Sequence, residues 1–80
     1  MTETELKLVT LGMKLQRLLQ DANSAASTAY YFGIGYDSKK DFWFIKDYGT
    51  EFKQVENVDA LIEYLKKIPD MIRKNVDPRI

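Results

Sequence analysis

From Leu8 onward, large apolar residues recur in steps of three and four: Leu8, Leu11, Leu15, Leu18, Ala22 and Ala25. That spacing keeps one face of an α-helix apolar, and Leu19 widens the stripe. Thr2 and Glu5 stand at the spacing of a capping box, in which each side chain satisfies a free backbone donor at a helix start. The pattern predicts a helix over about 3–22. Leu6, Val9 and Met13 form a second apolar patch, read as lying about a quarter-turn away, so this half of the helix has more apolar surface than one neighbour needs. Gly12 costs about 1 kcal/mol relative to alanine, which predicts that another element comes close there. The run DANSAASTA lacks large apolar residues; Asn23 and Ser24 are the expected stop, although the alanines could add a turn.

From Ala29 the period falls to two. Tyr30, Phe32, Ile34 and Tyr36 alternate with Tyr31, Gly33 and Gly35, as in a strand with one heavy and one light face. DSKK is a polar turn, DFWFIK a second strand, KDYGT a second turn and EFKQV a third strand, so strands are expected near 29–36, 41–46 and 51–55. Turns this short join antiparallel neighbours. Asn57 is a natural N-cap, and Val58, Leu61, Ile62, Leu65 and Ile68 make the apolar face of a second helix over about 58–68. Pro69 is expected to stop it, with a short helical turn near 70–75 and a tail at 76–80. The order helix, three strands, helix defines a small α+β single domain spanning residues 1–80, with a three-stranded antiparallel meander (α-β-β-β-α).

Closing the hairpin through DSKK pairs Tyr36 with Asp41, Ile34 with Trp43 and Phe32 with Ile45. Gly33 and Gly35 then lie on the opposite face beneath Phe44 and Phe42, where rings restore packing that glycine leaves open. One feature does not depend on this register: Phe42, Trp43, Phe44 and Ile45 put large apolar groups on both faces of the middle strand. The two helices could cover one face each. If they share a face, the other is left open, with Tyr31, Phe42 and Phe44 or with Tyr30 and Trp43 upon it.

Composition then narrows the chemistry. Twelve basic residues balance twelve acidic ones, which removes the usual footprint of a nucleic-acid binder. The chain has neither cysteine nor histidine, so it has no disulfide and lacks the commonest general base and the strongest side-chain nucleophile. Asp37, Asp41, Asp47 and Glu51 lack the spacing and central glycine of a calcium loop. GIGYDS resembles a phosphate loop only superficially, since a strand pattern follows it rather than a helix. These features predict a protein that is not an enzyme and needs no metal or cofactor. The acidic opening MTETEL is unlike a signal peptide and no apolar run could cross a membrane, so a cytoplasmic location is expected.

What remains is surplus apolar surface. It predicts a non-catalytic module that binds another protein, a small regulator or inhibitor acting as a homodimer. Dimerisation is assigned to Leu6, Val9 and Met13, and partner binding to Tyr31, Tyr36, Lys39, Lys40, Phe42, Trp43 and Phe44. The alternative is a single-stranded nucleic-acid binder that stacks bases on the hairpin rings between flanking lysines.

Overall fold

The structure, a computed structural model, describes residues 2–80. Its elements are α1 (Glu3–Ala26), β1 (Phe32–Asp37), β2 (Phe42–Asp47), β3 (Thr50–Val55) and α2 (Val58–Arg73). The strands form one antiparallel sheet in the order β1-β2-β3, which gives the α-β-β-β-α architecture that the periodicities predict.

Both helices lie on the same face of the sheet. Leu15, Ala22 and Ala26 of α1 and Leu61, Ile62, Leu65 and Ile68 of α2 enclose Phe32 and Ile45, with Ile34, Trp43, Phe52 and Val55 packed around them. Ala22 and Ala26 are almost wholly buried, so the small side chains bring the last turns of α1 close to the sheet. Three strands separate the helices, so the two run parallel: Leu11 lies beside Ile62, and Ala25 beside Pro69 and Arg73. The first turns of α1 run alongside Asp59 but overhang the core, whose first α1 member is Leu11.

Three boundaries differ from expectation, each for a local reason. α1 runs to Ala26, because Ala22 and Ala26 are needed in the core; Ser27 ends it with a φ of 56°. Asn23 does not stop the helix. Its amide accepts from the N–H of Phe32 at 2.7 Å and donates to the carbonyl of Phe32 at 3.2 Å, standing in for a neighbouring strand at the β1 edge. Pro69 does not stop α2, which continues to Arg73. The proline forfeits one backbone bond, but Ile68 is fully buried and Ile72 packs against the core, so helical geometry beyond the proline is kept by burial. Residues 76–80 are not a loose tail: Pro78 is buried, and its carbonyl accepts the hydroxyl of Tyr64.

The β1–β2 register is also shifted by two residues. Tyr36 pairs with Trp43, Ile34 with Ile45 and Phe32 with Asp47. The turn is Ser38–Asp41 rather than Asp37–Lys40. The Asp37 carboxylate accepts from the N–H groups of Lys39 and Lys40, and Asp41 takes a φ of 55°. An aspartate that caps its own turn and another that tolerates the left-handed region set this loop. A shift of two leaves every side chain on its face, so the ring-over-glycine arrangement survives with Phe44 alone, over Gly35. A bulge in β3 leaves Phe52 without a paired residue between Glu51 and Lys53. The extra residue turns the Phe52 ring onto the helix-covered face, 6.1 Å from Phe32.

Candidate functional site

Two uncovered apolar surfaces result from this layout, together with one polar clasp around the buried Asp47. The first surface is the outer half of α1. Leu6, Leu8, Val9 and Met13 are 56%, 63%, 48% and 66% exposed. Leu8 belongs to the same stripe as Leu11 and Leu15 but lies open, outside the core and outside the groove that α2 lines. Leu6, Val9 and Met13 have another origin. At about 100° per residue their patch is centred nearly half a turn from the buried stripe, not a quarter-turn, so it faces away from the core. Gly12 is not approached by another element of the chain; a Cβ placed there would meet nothing within 4 Å. Glu3, Lys7, Lys14 and Thr10 surround a shallow groove that opens between Leu6 and Leu11 of α1 and Asp59 and Ile62 of α2.

The second surface is the sheet face without helices. Phe42 and Phe44 lie there edge to face at 6.1 Å, half-buried, with the Lys46 ammonium 5.4 Å from the Phe44 ring centre. At one end Tyr31 and Tyr48, 63% and 62% exposed, pack ring against ring at 5.9 Å. The hairpin residues chosen from sequence therefore do not form one patch. Tyr31, Phe42 and Phe44 share this open face. Tyr36 and Trp43 pack together at 5.0 Å on the opposite face, where Trp43 borders the core. Lys39 and Lys40 belong to the turn between them, near Asp37 and Asp41. The Tyr36 hydroxyl donates to the Asp41 carboxylate, and that bond, together with some burial, raises the tyrosine's pKa above its ordinary value.

The clasp is a set of residues that the sequence pattern did not single out. Asp47, 8% exposed, ends β2; one carboxylate oxygen accepts from the Tyr31 N–H at 2.9 Å, and the other lies 3.4 Å from Arg79. Arg79 also pairs with Asp77 at 2.9 Å and lies 5.1 Å over the Tyr30 ring. Its hydrogen bonds hold the Asp77 carboxyl below the usual range. The Tyr64 hydroxyl, raised first by burial and then by the Asp77 charge, closes the clasp on Pro78. The only sequence signal was a lone carboxylate closing the apolar run FWFI and a proline–arginine pair in an apparent tail. Neither has a periodicity to read.

Among the described residues no three carboxylates gather where they could hold a metal ion, and no helix is long and apolar enough to cross a membrane. Comparison of the chain with protein-family models, with curated proteins and with solved structures finds no match. Function has to be argued from these surfaces.

Proposed function

We propose that the chain is a non-catalytic protein-binding module, a small regulator or inhibitor that occupies a partner protein's surface and works as a homodimer. The observation that carries this reading is the exposure of Leu6, Val9 and Met13 on one face of a helix in a fold whose core is complete without them. Fully burying an exposed side chain of this kind is worth about 1.5–3 kcal/mol, and these are about half exposed, so leaving three of them in water favours association. The dimer forms through the outer face of α1, and the open sheet face with Tyr31, Phe42 and Phe44 takes the second protein. Trp43, on the covered face, drops out of that contact surface.

Sedimentation equilibrium tests the dimer. The wild-type chain should associate at micromolar concentrations, and Val9→Asp with Met13→Asp should remain monomeric with an unchanged circular dichroism spectrum. A wild-type chain that stays monomeric at millimolar concentration refutes the dimer. The single-stranded nucleic-acid alternative retains one supporting contact, Lys46 beside Phe44 on the open face. Lys53 lies instead over Tyr64, and Lys39 and Lys40 share their turn with the acidic Asp37 and Asp41, which offset their charge. An oligonucleotide affinity that falls steeply with added salt would favour that alternative.

A further inference from the structure

Resting on the homodimer reading, we infer that the second copy packs antiparallel along α1, about a two-fold axis beside Leu11, with Glu3 of each copy facing Arg17 of the other. The outward stripe Thr2, Leu6, Val9, Met13, Gln16, Gln20 advances by steps of four and three, the repeat of a two-stranded helix seam. Of the antiparallel registers that interlock such a stripe with itself, the one setting Val9 against Met13, Leu6 against Gln16 and Thr2 against Gln20 pairs all six positions, with Val9 and Met13 at its middle. The flanks of the seam then decide the orientation. On one flank stand Glu3, Thr10 and Arg17, and on the other Glu5, Gly12 and Leu19.

In the antiparallel arrangement Thr10 meets Thr10, and Glu3 meets Arg17 twice, once at each end. A parallel in-register pair sets Glu5 near Thr10 and Gly12 near Arg17, with no opposite charges matched. Charge complementarity therefore selects the antiparallel pair. Three local features agree with it. Arg17 has no ion-pair partner among the described residues, whereas Glu3 has only the exposed Lys7, at 3.6 Å. The Thr10 hydroxyl donates to the carbonyl of Leu6 at 2.8 Å, so it can leave water without losing a partner. Gly12, whose missing side chain faces open space within the monomer, stands beside the axis and lets the two backbones approach. A seam of three apolar residues per helix with a polar flank makes a small interface of the kind found in weak, reversible association.

The chain lacks cysteine, so a nitroxide can be placed at one chosen site. Dipolar EPR on Thr10→Cys and on Ser24→Cys should report backbone separations of about 10 Å and about 40 Å, from a 1.5 Å rise per residue and helices 8–10 Å apart. Short distances at both sites would mean a parallel pair, and a long distance at Thr10 a dimer through another face. Either result overturns the pairing while leaving the homodimer intact. Glu3→Arg or Arg17→Glu alone should weaken sedimentation-measured association about fivefold, since each reversal alters two symmetric contacts, and the double reversal should restore it to within about twofold. No recovery in the double variant refutes the register. Absence of any association refutes the dimer itself.

Discussion

Gly33 and Gly35 are two strand glycines two residues apart on the same face, and replacing each by alanine should have opposite effects. Neither has a positive φ, so alanine fits the backbone at both sites. At Gly33 a new Cβ meets nothing within 4 Å. Only the entropic term then acts, and Gly33→Ala should stabilise the fold by about 0.5–1 kcal/mol. At Gly35 the same Cβ would fall 2.6 Å from Cε2 of Phe44 and 3.1 Å from Cε1, well inside contact distance. The ring is the far end of a side chain on an open face, so it swings away rather than the sheet deforming. In swinging it gives up its cover over the Gly35 backbone and its contact with Phe42. Half the burial of a phenylalanine is about 1 kcal/mol, and a displaced rotamer costs about 0.5–1.5 kcal/mol more. Against the same entropic gain, Gly35→Ala should destabilise by about 1 kcal/mol, leaving the two variants about 2 kcal/mol apart.

Urea unfolding followed by Trp43 emission reads this directly. With a slope near 1 kcal/mol per molar for a domain this small, the two midpoints should differ by about 2 M. The mechanism has its own control. In a Phe44→Ala background the obstacle is gone, and Gly35→Ala should become stabilising like Gly33→Ala, a coupling of about 1.5–2 kcal/mol. Equal midpoints for the two glycine variants, or no change of sign in the Phe44→Ala background, would falsify the ring-over-glycine account.

The remaining predictions concern the clasp and the two tyrosines whose ionisation is shifted. Asp47→Ala leaves the Tyr31 N–H without its carboxylate and the Arg79 guanidinium with Asp77 alone, and should lower stability by about 1–3 kcal/mol in chemical denaturation; a loss below about 0.5 kcal/mol would mean the C-terminal segment is not held there. In a spectrophotometric alkaline titration, Tyr36 and Tyr64 should ionise above the ordinary tyrosine value, and Tyr64→Phe should remove part of that late phase. The folded pKa of Tyr64 is raised, so its contribution is fully present below pH about 10 and is lost as pH rises through the folded value; in Tyr64→Phe the alkaline decline in thermal midpoint should be shallower. Asp77 is shifted the other way: its folded pKa is lowered, so its contribution is present above pH about 4 and lost as pH falls through the folded value. Asp77→Asn should therefore flatten the acid limb of the thermal midpoint, and an unchanged limb would remove Asp77 from the account.

Element order and type were legible because they follow from periodicity. The three-and-four spacing of Leu8 to Ala25, the alternation from Tyr30 to Tyr36, and Asn57 ahead of the Val58–Ile68 stripe each set a local conformation through contacts within a few residues. The turn boundary was less legible, because Asp37 and Asp41 can each end or belong to a four-residue loop, and the competing registers differ by two, which leaves the faces unchanged. The end of α2 was not legible for a different reason. Proline carries a local penalty, but the burial of Ile68 and the packing of Ile72 against the core outweigh it, and that packing depends on the tertiary structure.

For the candidate surfaces the same division holds. Leu6, Val9 and Met13 could be recognised as surplus from their spacing alone, since a helix in a small domain buries one stripe. The hairpin surface could not be resolved, because β2 carries large rings on both sides, and only the placement of both helices on one face separates Trp43 from Phe42 and Phe44. The clasp was invisible: Asp47 and Arg79 are 32 residues apart, and nothing in either neighbourhood encodes the other. The sequence by itself determined which segments are helix and strand, where the hairpin turns fall to within two residues, and that the chain has neither cysteine nor histidine. Only the tertiary structure decided which sheet face is covered, how far α1 overhangs, and what Asp47 holds, because these depend on contacts between residues far apart in the chain, where local pattern has no reach.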